Sequence, residues 1–196
     1  DVTVMVPRSQ LEKARKIFAG KVAELDITVV PSEDFLSNQS LGVEAIFLKH
    51  DLPIIDRDQV KAKVSAKPLD YAALRSHLAA NMKLLEGITG LFDVARDKRM
   101  LNLIIHSLIM RLRSGYAISC LLSSKPPSRI GLLKEVKKRG IRREVFNRLY
   151  QVYVAVKRDK EARVKASRQE AETLAEIVKE YLDQVEKQLG EARESA

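Results

Sequence analysis

Two aspartates, Asp1 and Asp26, each head a short β-branched run, Asp1-Val-Thr-Val-Met-Val-Pro and Asp26-Ile-Thr-Val-Val-Pro. Runs of this composition closed by proline read as strands. If the two are neighbours in register, their aspartates share one end of the sheet, where two hard oxygen ligands could grip one divalent cation. The alternative is a pair of exposed carboxylates at the strand entrances. A second constellation is cationic: Lys134, Lys137, Lys138, Arg139, Arg142 and Arg143 place six charges within ten residues around Gly140. Such a surface would hold phosphates by charge, without reading sequence, and would weaken steeply with salt. A third is the pair Arg99 and His106, separated by six residues. Seven positions are about two helical turns, so both lie on one helix face.

The elements that must position these residues follow from punctuation and periodicity. Ser9 to Glu12 reads as a capping box, opening a short helix to Phe18 with Leu11, Ala14, Ile17 and Phe18 inward. Strand, helix, strand is a βαβ unit, whose crossover makes the strands parallel. Asp-, Lys- and Ser-rich sequence then runs to Pro68. From Asp70 the spacing predicts helices to about Glu86, over Asp97 to Leu122, over Ile130 to Arg139 and over Arg143 to Arg158. The fourth carries Val145, Leu149, Val152 and Val156 at helical spacing. A second capping box, Ser167-Arg-Gln-Glu170, opens a long helix with Ala171, Leu174, Val178, Tyr181 or Leu182, Val185 and Leu189 as its apolar stripe. Such helices cannot bury their stripes alone, so a four- or five-helix bundle is expected. Within it Cys120, beside two leucines, reads as a core filler.

The chain has 196 residues, a net charge of +9 and a pI near 9.7. The charge is unevenly spread. Residues 1–95 hold 12 Lys and Arg against 13 Asp and Glu, residues 96–168 hold 20 against 5, and residues 169–196 hold 3 against 8. Such a concentration raises the local density of anions and steers polyanions; a solvated basic face, partly paired with the acidic last helix, is the alternative. No apolar run approaches the roughly 18–20 residues of a membrane span, and the single cysteine allows neither an internal disulfide nor a Cys-based zinc finger. These features predict a cytoplasmic setting without membrane contact. Opening on Asp1 with no methionine, the sequence looks like the remainder of something longer.

Residues 1–56 resemble the later part of the minimal nucleotidyltransferase domain of the polymerase-β-like superfamily. Asp1 falls on that family's Asp-x-Asp strand, Leu25-Asp26-Ile27-Thr28-Val29-Val30 matches its later carboxylate strand, and the Gly-Ser turn that precedes both is missing. Only one of the paired aspartates can be present: if Asp1 is the first, Thr3 replaces the second, and if Asp1 is the second, its partner is expected before the start of this sequence. Residues 70–194 resemble a HEPN helical domain through the order and spacing of Ser128-Arg-Ile-Gly-Leu-Leu-Lys-Glu, Leu149-Tyr-Gln-Val-Tyr-Val-Ala-Val-Lys-Arg158 and Ser167-Arg-Gln-Glu-Ala-Glu-Thr-Leu, with residues 57–69 as the linker.

The resemblance implies an α+β chain: a partial nucleotidyltransferase sheet followed by a HEPN-like bundle that dimerises through apolar helix faces. It implies Mg²⁺ held by Asp1 and Asp26, a nucleotide ligand, and nucleotidyl transfer in which the metal neutralises developing charge on phosphate. The bundle would bind a substrate or partner, RNA or another polyanion among them. A non-catalytic interaction protein, one half of a toxin–antitoxin-like pair, is the alternative. HEPN nucleases further resemble one another in an Arg-x4–6-His motif, with His as acid/base and Arg on the phosphate. Arg99 and His106 fit its spacing, although Met100 stands where a polar residue is usual. A His106 simply packed in the bundle is the competing account.

Overall fold

The computed structural model describes residues 2–18, 27–33, 63, 67–160, 162 and 164–194. The chain divides into two compact units, Asp1–Asp70 and Tyr71–Ala196; most of the expected linker, residues 57–69, lies outside the described residues.

In the first unit, β1 (Val2–Val6) pairs with β2 (Ile27–Pro31). The pairing is parallel, and its register sets Val2 against Ile27, Val4 against Val29 and Val6 against Pro31. It is the register in which the two similar runs align. Between them, Arg8–Gln10 form a 3₁₀ turn that leads into α1 (Leu11–Phe18). The capping box expected at Ser9 does not form. Residues 8–10 are already wound, and Gln10 N–H closes on the Pro7 carbonyl at 2.8 Å, while Glu12 instead pairs with Arg15. A carboxylate from beyond β2 takes over: Glu33 accepts the Arg8 N–H through both oxygens, at 3.0 and 2.9 Å. That backbone hydrogen bond holds the Glu33 carboxyl below its ordinary range. Ala14 is buried as expected, whereas Ile17 is exposed.

The second unit is a bundle of five helices: α2 (Tyr71–Gly90), α3 (Lys98–Leu122), α4 (Arg129–Lys138), α5 (Arg143–Lys157) and α6 (Arg168–Glu194). The starts of three are sealed by side chains. Asp97 accepts the Met100 N–H at 2.7 Å, Ser128 accepts the Gly131 N–H at 3.0 Å, and the Ser167 box forms in full. Its two bonds run from Ser167 N–H to Glu170 at 2.9 Å and from Glu170 N–H to the Ser167 hydroxyl at 3.1 Å. α3 is the central element, packed on α6, α5 and α2. Its Ile104, Ile105, Leu108, Ile109 and Leu112 are fully buried, and in the α6 stripe both Tyr181 and Leu182 face inward. Gly115 lets α3 and α6 approach closely: a Cβ there would lie 2.6 Å from Leu182 Cδ2. The α5 stripe is rotated from the expected one. Phe146 and Tyr153 join Leu149 and Val152 in the core, and Val145 and Val156 are only half-buried.

The Ser167 box carries a pH prediction. Burial raises the Glu170 carboxyl, but the Ser167 N–H and the Arg148 guanidinium outweigh it and hold the pKa low. A carboxyl depressed on folding contributes stability that is present above its unfolded pKa and is lost as pH falls through the folded value. Ser167→Ala should cost about 1 kcal/mol at neutral pH. Glu170→Gln should flatten the acid limb of a stability–pH curve below its ordinary value of 4.5, as read by urea melts across that range.

Candidate functional site

Asp1 and Asp26, expected to hold Mg²⁺, lie outside the described residues. The strands that follow them in sequence are described, and they pair in parallel at Val2↔Ile27. Among the described residues no three His, Cys, Asp or Glu side chains gather into a group able to hold a metal ion.

The cationic run is shaped by the end of α4. Gly140 has φ +93, a left-handed conformation that favours glycine. Its N–H closes on Lys137 at 3.1 Å, and Ile141 N–H reaches back to Val136 at 3.3 Å. This is a Schellman motif, with Ile141 and Val136 both buried beneath it. The turn folds the run back on itself between α4 and α5, but the six cations are not equivalent. Lys138 is bonded to Glu135 at 2.7 Å. Arg139 is drawn inward: it bonds Glu135, donates to Gln184, and lies over the Tyr181 ring with its Cζ 4.5 Å from the centroid. Burial pushes the Tyr181 hydroxyl up to about 12, so the ring under this cation stays neutral. Lys134, Lys137, Arg142 and Arg143 are exposed. Lys134 and Lys138, with Lys125 from the loop before α4, line an open groove of about 800 Å³ between α3, α4 and α6. Ser119 and Gln188, bonded at 3.0 Å, and Tyr116 line it as well. Cys120 lies on its inner wall, its thiol pushed up by burial, as suits a core filler. The carboxylates of Glu135 and Glu191 line the groove too, so its lysine charge is partly offset, and Lys134 and Lys125 are the cations there that a polyanion would meet beside neutral hydrogen-bonding groups.

Arg99 is exposed in the first turn of α3. His106, two turns on, is half-buried, with its ring stacked on Tyr153 at 5.2 Å and 19°. Tyr153 in turn takes a hydrogen bond from Arg113, whose Cζ lies 5.2 Å from its ring centroid, and it packs against Tyr150 at 5.3 Å. The ladder ends at Phe146, 5.8 Å from Tyr150. Tyr153 is thus a core residue, not a free stacking platform.

His77 has a partner that sequence reasoning missed. Its Nε2 lies 2.7 Å from the Ser114 hydroxyl, which also takes a hydrogen bond from Asn81 Nδ2 at 3.3 Å. Asn81 donates to the His77 carbonyl as well, at 2.8 Å, and it is the buried polar residue of the bundle core among the described residues. Arg111 completes the polar region. It is half-buried, and its Nε is sealed from water with no hydrogen-bond partner. Burial lowers its pKa. Both imidazoles are also depressed: first by burial, then by the charge of Arg111, and for His106 by Lys157 as well. The signal for Arg111 was present in the sequence as an arginine set between Met110 and Leu112 in an apolar helix. Nothing in sequence joined it to His77, 34 residues earlier.

No helix of the described residues is long and apolar enough to cross a membrane. Comparison with protein-family models, with curated proteins and with solved structures gave no match.

Proposed function

We propose that this chain is a nucleotide-binding protein of nucleotidyltransferase type, using Mg²⁺ at the α/β unit, with the helical unit contributing substrate or partner binding. The observation that carries the reading is the parallel register of β1 and β2 at Val2↔Ile27, because the residues next in sequence before that pair are Asp1 and Asp26. Carboxylates are the hard ligands that Mg²⁺ takes while it bridges phosphate oxygens. The cation-lined groove between α3, α4 and α6 supports the helical unit's share, since exposed lysines there would hold a phosphate-rich partner.

The test is equilibrium binding of fluorescent ATP and GTP to the 196-residue chain, with Mg²⁺ and with EDTA. Binding should require Mg²⁺, and Asp26→Asn should weaken it by about tenfold or more. Equal affinity in Mg²⁺ and EDTA, unchanged by Asp26→Asn, would sink the reading.

One observation favours a second reading, a non-catalytic interaction protein that pairs through its helices, in the manner of one half of a toxin–antitoxin-like pair. Leu84 on α2 and Leu103 and Met110 on α3 are exposed, at 53%, 48% and 40%, and Leu91 and Val94 beyond α2 join them. A ribonuclease working through Arg99 and His106 ranks below both: Arg99 is exposed, whereas His106 is half-buried with its ring stacked on Tyr153.

A further inference from the structure

Arg111 is a cation with no carboxylate partner among the described residues. Its Nε is cut off from water and makes no hydrogen bond. The residue as a whole is half-buried, and taking even part of a guanidinium out of water is costly unless an opposite charge or a hydrogen-bond acceptor meets it. A sealed polar atom left unpaired in a native fold marks strain or an absent water or ion. The neighbourhood deepens the imbalance. His77 from α2 stands on Ser114, three residues after Arg111 on the same helix. His106 of α3 feels the Arg111 charge as well, and Arg113 is held aside by Tyr153. Both imidazoles are depressed, first by burial and only then by the Arg111 charge.

We infer that Arg111, His77, His106 and Ser114 form a binding site for a phosphoryl oxyanion. A guanidinium fork matches two oxygens of such a group. A tetrahedral anion still has oxygens facing other directions, where imidazole and hydroxyl donors arrive from two helices, whereas a carboxylate has only two oxygens in one plane. The bound charge would also lift both imidazoles back toward their ordinary value of 6.5. Each would then add a charged donor as pH falls, so the anion binds more tightly in mild acid. The site uses no metal and neither aspartate, and it stands apart from the nucleotidyltransferase reading.

The probe is inorganic phosphate, titrated in EDTA while the histidine ring signals are followed by NMR. His77 and His106 should shift saturably and titrate at higher pH in phosphate than without it. Arg111→Gln should weaken phosphate by about tenfold or more, and Arg111→Lys, which keeps charge but loses the fork, should fall between. Lys134→Ser and Asp26→Asn should leave it unchanged, so a failure here is separate from a failure of the metal reading. ADP and a short single-stranded RNA distinguish the source of the phosphoryl group. ADP binding better than RNA of equal concentration assigns a free nucleotide, the reverse assigns a strand, and both depend on Arg111. Phosphate affinity within about twofold of wild type in Arg111→Gln, with circular dichroism unchanged, would overturn the site. So would a loss of dimer mass on sedimentation of Arg111→Gln or Arg111→Lys without competition by phosphate, since the guanidinium would then be answering a second copy of the chain.

Discussion

Replacing Phe146 by alanine is expected to cost the helical unit about 3–5 kcal/mol, measured by urea unfolding. The ring is fully buried, at 0% exposure, near the start of α5, so its loss leaves a cavity that the helices around it can close only in part. The consequence reaches the polar region by contact. Phe146 backs Tyr150, Tyr150 backs Tyr153, and Tyr153 carries both the stacked His106 ring and the Arg113 hydrogen bond. The variant should therefore shift the His106 ring signals while leaving those of His77, the α2 residue held by Ser114, nearly where they were. Equal displacement of both histidines would show a general loosening of the bundle instead of a relay along the aromatic ladder.

Gly115→Val is the second large effect, at about 2–3 kcal/mol. In a helix interior, glycine normally gives way to alanine with a gain of about 0.5–1 kcal/mol, because the backbone loses less freedom on folding. Gly87 is exposed on α2, and a Cβ added there would meet nothing within 4 Å, so Gly87→Ala should show that gain. At Gly115 the sign reverses. The new carbon would sit 2.6 Å from Leu182 Cδ2 and 3.5 Å from Tyr181 Cδ1, and both neighbours are sealed in the core. They can yield only by pushing α6 away from α3, the central packing of the unit. Two helical glycines thus report opposite outcomes in thermal melts. A stabilising Gly115→Val would mean that the two helices do not meet so closely.

Much of the helical unit was legible in sequence because its signals are local. Caps, glycine stops and periodic apolar residues act within one or two turns. Asp97, Ser167 and Gly140 therefore marked helix ends that the fold keeps to within about two residues. The α6 stripe was legible for the same reason. The α5 stripe was not, because apolar residues lie on more than one side of that helix. Only the partners decide that Phe146 and Tyr153 turn inward in place of Val145 and Val156. The Ser9 box failed on a similar point: Glu33, 21 residues after Glu12, reached the helix start once β2 lay beside β1.

By itself, the sequence determined the α+β character, the parallel pairing of two like strands, most helix boundaries (α2 runs four residues past the expected Glu86), and the concentration of positive charge in residues 96–168. Each depends on residue type and short spacing, which an isolated segment already carries. Tertiary structure alone decided which charges are spent and which are left over. Arg139 is consumed by Glu135, Gln184 and Tyr181, whereas Arg111 is half-buried with no carboxylate partner among the described residues. Coulomb energy depends on distance and on the water between charges, and neither is written in a chain until its helices pack.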